Sequence, residues 1–425
     1  MNVRLDYGRD GLAVELPEER IETILSLQPI PPLRDPHRAI HDALRRPAGA
    51  PPLMGQARGK RSACVVISDI TRPVPNRVLL PPILDTLEAG GIPRDGITIL
   101  VATGTHRPST HAELLEMVGP EILTAYRIED HVATDRDAHS YLGDTPHGVP
   151  IWVDRRFLDA ELRISVALIE PHFMAGFSGG RKSVCPGICS MDTVQIWHGP
   201  RFIGHPRSES GTFSGNPVHE DSLYVARAAG LHFICDVTLD SERRLTGVFA
   251  GEVEAAWLKG VDAARRVAHA PIAAPAHVVV TTCAGYPLDL TFYQAVKGMV
   301  GALPAVKSGG TIVIASECAE GLGSRHFADT LLDSDDLEAF VARTYDPAFF
   351  VPDQWEVHEL LKAVRHAEVM VYSEGIPPET LSRCFVTPIE SVEAGVAQAL
   401  GRHGPDARII VIPKGPYVLP VPGQS

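Results

Sequence analysis

Three strongly apolar segments of this chain each run straight into a short polar cluster, and that arrangement limits the fold more than any other feature. RSACVVISDI (Arg61–Ile70) leads into TRPVPN, ITILVATG (Ile97–Gly104) into THRPST, and LRISVALIE (Leu162–Glu170) into PHFMAGFSGGRK. Short apolar runs rich in valine and isoleucine, separated by a helical segment such as Val78–Ala89, predict buried, mostly parallel strands joined by helices. In open α/β sheets ligands gather at the carboxyl ends of the strands. Three polar clusters at three such ends therefore make one candidate site.

The alternation then restarts. An amphipathic helix over Val253–His269 leads to APIAAPA (Ala270–Ala276), whose alanines and prolines suggest a linker. Beyond it, strands are expected at His277–Thr282, Thr311–Ser316, Glu368–Tyr372 and Arg408–Ile412. Helices are expected around Thr291–Leu303, Asp336–Tyr345, Trp355–His366 and Ile389–Leu400. The fold class is α/β, with two domains, each a mostly parallel sheet with flanking helices; the second is Rossmann-like. Residues 1–270 form the N-terminal unit and 271–404 the C-terminal unit, and the tail 405–425 returns to pack on the first. The 425 residues suit two cores better than one.

A net charge of −13 argues against a nucleic-acid partner, which would need clustered positive charge. No apolar run approaches the roughly 20 residues of a membrane span. The polar start MNVRLDYGRDGLAVELPEE and seven scattered cysteines predict a cytoplasmic protein with free thiols.

Each polar cluster has a plain structural reading beside a functional one. In EPHFMAGFSGGRKSVCPGI (Glu170–Ile188), Gly176, Gly179 and Gly180 allow a tight backbone, and Arg181 and Lys182 add cations; this is either a phosphate-binding loop or a glycine-rich connector. His106 in ATGTHRPST and His172 are either structural or acid/base groups. Asp69 and Arg72 in SDITRPVPN either face a ligand or pair with each other. His198, before Gly199–Pro200, either complements a helix end or ligates a metal. A zinc site on Cys185, Cys189 and a histidine lacks a fourth ligand. In YPLDLTFYQAVKGM, Gln294 and Lys297 share a helix face. Taken together, the clusters suggest an interdomain cleft for an anionic substrate, with two acid/base candidates.

The set DITRP, GTHRP, PHFMAGFSGGRKSVCPG, a following WH, GNP and YQAVKG resembles the nickel-pincer-nucleotide-dependent lactate racemase family. The resemblance implies an isomerase that inverts C2 of a small 2-hydroxy acid, lactate-like or malate-like. The implied cofactor is a nickel-pincer nucleotide, Ni(II)-pyridinium-3,5-bisthiocarboxylic acid mononucleotide, joined covalently to Lys182, with His198 on the nickel and cofactor-maturation enzymes as partners. His106 and His172 match the acid/base pair. Asp69, Ile70, Thr71, Arg72, Gly179 and Gly180 match cofactor-contacting positions. Arg72, Tyr293, Gln294, Lys297 and Trp355 match substrate-contacting ones. Hydride chemistry on such a cofactor agrees with the lack of a G-x-G-x-x-G dinucleotide fingerprint.

Three rival functions remain at this stage. One is a sugar-acid 2-epimerase using the same chemistry. The second is a zinc-dependent hydrolase using Asp69 and the histidines, and the third is a non-catalytic cofactor-binding protein. Substrate choice turns on whether Arg107, Arg181 or Arg201 faces the pocket, which would suit a second carboxylate. If only Phe173, Met174 and Phe177 do, a short or aryl side chain fits better.

Overall fold

The computed structural model describes residues 1–346 and 348–423. Two six-stranded sheets dominate. In the first, the strands lie in the order Leu245–Gly251, Phe233–Leu239, Leu162–Val166, Ala63–Ser68, Ile97–Ala102, Arg127–Asp130. All neighbours are parallel except the antiparallel pair at the Leu245–Gly251 edge. The central strand Ala63–Ser68 is buried over ACVVI, as a strand covered on both faces must be.

The second sheet is parallel throughout, in the order Thr387–Pro388, Ala367–Tyr372, Val306–Ala315, Ala276–Thr282, Ile409–Ile412, Ile21–Ile24. Helix starts fall where caps dictate. Ser391 accepts from the Ala394 N–H, so the helix expected over Ile389–Leu400 spans Val392–His403. Asp336 likewise caps Leu337–Arg343.

Three expectations change. The first concerns the opening stretch, which the division 1–270 places in the N-terminal unit. Ile21–Ile24 instead pairs with Ile409–Ile412, and the hairpin Asn2–Leu5/Leu12–Glu15 buries Val3, Leu5 and Val14 against Val278, Val280 and Val411 of the second sheet. Alternating apolar residues in a hairpin need a sheet face to cover, and this is the face they cover. The second concerns Ala270–Ala276, which is only partly a linker: His269–Ile272 is a strand paired in parallel with Leu419–Pro422. Of the tail 405–425, Ile409–Ile412 is instead an internal strand of the second sheet, and only the stretch after it reaches the junction, where Leu419 packs at Gly211 of the N-terminal unit. The third is the strand expected over Leu162–Glu170, which ends at Val166. Beyond it Leu168 keeps a single parallel bridge to Val237, and Pro171–His172 then pairs with Gly176–Phe177 as a tight hairpin.

Candidate active site

The carboxyl ends of Ala63–Ser68, Ile97–Ala102 and Leu162–Val166 open onto one cavity, closed on its far side by two helices of the C-terminal unit. Asp69, Thr71, Arg72, His106, His172, Gly179, Lys182, His198, Tyr293, Lys297 and Trp355 all line it. Ile70 and Gln294 line an adjoining pocket that shares Asp69, Thr71, His106 and Tyr293. Gly180 lies behind the cavity, and its N–H donates to Asp236 Oδ2 at 2.6 Å.

Two glycines make the loop possible. Gly176 has φ +76°, and a Cβ there would sit 2.3 Å from the Thr212 carbonyl oxygen. At Gly179 (φ +80°) a Cβ would meet Ile169 at 2.7 Å and the Asp236 carboxylate at 2.8 Å. Any side chain would push the loop out of place. Arg181 fastens the same loop from inside. It is buried over the Trp257 ring and donates to the carbonyls of Ala175, Phe177, Ser178 and Gly179. It therefore faces away from any substrate.

Asp69 Oδ2 accepts from His106 Nδ1 at 2.7 Å, and its Oδ1 accepts from the Thr71 hydroxyl at 2.6 Å. Burial raises the Asp69 pKa, but His106, Arg72 and Thr71 together hold it below the usual carboxylate range. An ionised partner at Nδ1 leaves the His106 Nε2 lone pair free. Arg72 does not pair with Asp69. Its Nε lies 3.6 Å from Glu170 Oε1, and its Nη1 donates to Thr71. Burial pushes Glu170 up to about 7, with Arg72 and Lys297 opposing.

His172 Nδ1 accepts from the Met174 and Ala175 N–H groups, and its Nε2 lies 2.6 Å from Lys182 Nζ. Burial, with Lys182, Lys297 and Arg72 adding to it, holds His172 well below the ordinary histidine range. Burial, then Arg181, Arg72 and Lys297, does the same to Lys182. Each group is thus easier to find uncharged than in water, and the two share one close contact. The plain reading of Lys182 as a solvated cation does not hold.

His198 closes the helix Met191–Trp197. Its ring lies between Trp197 and Trp355, with centroids at 4.4 and 4.6 Å, and its Nδ1 has no hydrogen-bond partner among the described residues. Burial keeps it uncharged, so it does not serve the helix end as a cation.

From the C-terminal unit, Thr291 caps Phe292–Ala302 by accepting from the Gln294 N–H, which aims the next turn at the cavity. Lys297 Nζ donates to Gln294 Oε1 and lies 5.7 Å from the Phe173 ring, which stacks on His172. Burial and Arg72 push Lys297 down from the lysine range. Trp355 Nε1 donates to the Tyr293 hydroxyl at 2.7 Å.

Two acids, Glu170 half-buried and Glu356 buried, escaped the sequence reading. Glu170 ends an apolar run and lacks a motif of its own. Glu356 lines the cavity at 1% exposure, and its Oε1 is unpartnered among the described residues. Only the inward face of Gln354–His366 signals it. The flagged arginines sit elsewhere. Arg107 pairs with Glu113 and, across the cleft, with Glu320, while Arg201 is exposed. Among the described residues, Arg72 is the one guanidinium lining the cavity.

Residues 7–211 match the model of the lactate racemase N-terminal domain, and residues 272–419 match that of the lactate racemase C-terminal domain. This chain belongs to the lactate racemase family. It is 37% identical over 382 residues to lactate racemase of Lactiplantibacillus plantarum, covering 89% of this chain and 90% of that one. It is 34% identical over 424 residues to the lactate racemase of Thermoanaerobacterium thermosaccharolyticum, covering 98% and 99%. The solved apoprotein of the latter superposes with a TM-score of 0.90 at 33% identity, over 99% of this chain and 100% of that one. A Thermotoga maritima protein shares the fold at a TM-score of 0.72 and 17% identity, over 91% and 98%. Membership of the family makes this chain an isomerase. The hydrolase and pure binding-protein readings fall with it. No helix among the described residues is long and apolar enough to cross a membrane.

Proposed function

We propose that this chain racemises a small 2-hydroxy acid of about lactate's size, using a nickel-pincer nucleotide tethered at Lys182, with His106 and His172 as its acid/base pair. One observation carries the reading. An Asp69-oriented imidazole, a second imidazole in contact with a lysine amine, and an unpartnered histidine converge on one cavity that also holds Arg72 and Lys297.

The residues suit the cofactor. A thioamide can form only from a neutral amine, and burial beside Arg181, Arg72 and Lys297 favours that form of Lys182. Nickel(II) takes an uncharged imidazole, and His198, between two indoles and with Nδ1 unpartnered among the described residues, would offer one. Asp69, Ile70, Thr71, Arg72 and Gly179 border the space for the nucleotide, while Gly180 shapes the loop behind it. When bound, the cofactor supplies an acceptor that takes the C2 hydrogen as hydride and returns it.

The chain's own groups do the rest. Arg72 and Lys297 bind the substrate carboxylate, and Gln294 holds the Lys297 ammonium in place. His106 Nε2 accepts the hydroxyl proton for one enantiomer. Acylation of Lys182 would remove the amine that sits at His172 Nε2 and leave that nitrogen facing the hydroxyl of the other enantiomer. The planar 2-keto acid left by loss of hydride and proton stays held by its carboxylate until hydrogen returns to its other face. Phe173, Met174, Tyr293 and Trp355 exclude water.

The lining also bears on substrate. It offers Phe173 and Met174 and no second free guanidinium among the described residues, which supports a short or aryl C2 substituent over a second carboxylate. The test is to incubate holoenzyme, matured by the cofactor-synthesis enzymes, with enantiopure lactate, malate and aryl 2-hydroxy acids, following inversion at C2. Lactate is expected to invert faster than malate. No inversion of any of the three would overturn the proposal.

A further inference from the structure

A second histidine cluster lies behind the cavity and takes no part in the reaction. His131 follows the strand Arg127–Asp130, His139 opens His139–Asp144, and Asp154 ends Pro150–Asp154. All three are at most 1% exposed. One ligand atom from each lies within 4.8 Å of the others, and this is the one trio of His, Cys, Asp or Glu so placed among the described residues.

The hydrogen bonds around it leave one buried lone pair without a partner and, for a neutral His131, one acceptor without a donor. His139 Nδ1 meets the Asp135 carbonyl at 2.7 Å, so it carries the proton, and Nε2 presents a bare lone pair. That Nε2 is buried and has no partner among the described residues. His131 Nε2 meets the Cys189 carbonyl at 3.0 Å, while its Nδ1 faces Asp154 Oδ2 at 3.2 Å. Both neighbours are acceptors, and a neutral imidazole has one N–H to give them. A divalent cation resolves both faults at once, because it takes the lone pairs of His139 Nε2 and His131 Nδ1 together with the Asp154 carboxylate. Each histidine would then donate its remaining N–H to a backbone carbonyl, the usual support of a metal-bound imidazole. Arg156 grips the same carboxylate through Nε and Nη2, fixing its orientation. Tetrahedral zinc with bonds of about 2.0–2.1 Å sets its ligands about 3.3 Å apart, close to the His131–Asp154 separation.

We propose that His131, His139 and Asp154 form a second metal site for zinc, separate from the reaction centre, with water as the fourth ligand. Two imidazoles and a carboxylate suit zinc among the available first-row ions. The site would tie together segments that carry the chemistry. The Thr103 hydroxyl, three residues before His106, donates to the His131 carbonyl. Cys189, on the other side, lies between the Lys182 loop and the helix that ends at His198.

The test is elemental analysis of the full chain after equilibration with equimolar zinc and desalting. About one zinc per chain is expected, undiminished in Lys182→Ala, which cannot hold the tethered cofactor, and largely lost in His139→Ala and Asp154→Asn. Zinc absorption-edge spectroscopy on the unmutated chain needs no variant to fold, and should show only nitrogen and oxygen neighbours with two imidazoles. Less than a tenth of a zinc per chain would overturn the site, as would sulfur in the zinc shell or full zinc retention in a folded His139→Ala protein.

Discussion

Replacing Asp69 by Asn tests how the site prepares its first base. The carboxylate accepts from His106 at one oxygen and from the Thr71 hydroxyl at the other. Thr71 Oγ1 also accepts from Arg72 Nη1 at 3.1 Å, so its own proton is directed at residue 69. An asparagine must then turn its carbonyl to Thr71 and its NH2 to His106 Nδ1. That forces the ring proton onto Nε2, where the base needs a lone pair. Shape and volume hardly change, yet general-base assistance is removed, a loss of about 10²–10⁴-fold in kcat, or ~3–5 kcal/mol of barrier. The assay is conversion of one lactate enantiomer by matured protein, read by chiral chromatography, with intact mass reporting the Lys182 adduct. The adduct should persist while kcat falls. Adding Thr71→Val frees the amide to flip and should return part of the rate. Activity of Asp69→Asn within threefold of the parent would refute the orientation argument.

Lys182→Ala should give protein whose intact mass shows no cofactor adduct after co-expression with the maturation enzymes; an adduct would place the tether elsewhere. Because burial and Arg72 depress Lys297, its ammonium should be lost as pH rises, before the ordinary lysine range near about 10.4 is reached. KM for lactate should therefore climb on the alkaline side, and Lys297→Arg should move that limb upward; a KM flat through that range would contradict the carboxylate role. His172→Ala should abolish racemisation while leaving nickel bound by elemental analysis, and retained inversion would sink the two-base scheme.

Most of the site was legible because its residues sit in short runs next to strand ends: DITRP, GTHRP and the GGRK loop each carry their groups on consecutive positions. Glu356 was not, since a buried acid on an amphipathic helix looks like any polar residue until the helix is docked. Arg72 was open between two partners, and only the structure shows Glu170 rather than Asp69 beside it. Lys182 changed character for the same reason, because its lowered pKa comes from depth and neighbouring cations that no local motif encodes. In the fold, the strands and helices followed their periodicity, whereas the opening hairpin went to the other sheet. Its pattern shows that it covers a face but not which one, and pairing across nearly 400 residues is invisible to a local reading. The His131–His139–Asp154 trio was unreadable as well, its members spread over three separate elements.

The account rests on hydrogen leaving and returning to C2 as hydride between two histidine bases. Racemisation of protiated lactate by the matured enzyme in D2O, followed by mass and NMR analysis at C2, tests this most directly. Both enantiomers should keep protium at C2 through many turnovers, with solvent deuterium confined to the exchangeable hydroxyl. Deuterium entering C2 at the rate of inversion would mean that the hydrogen leaves as a proton, and would contradict the account.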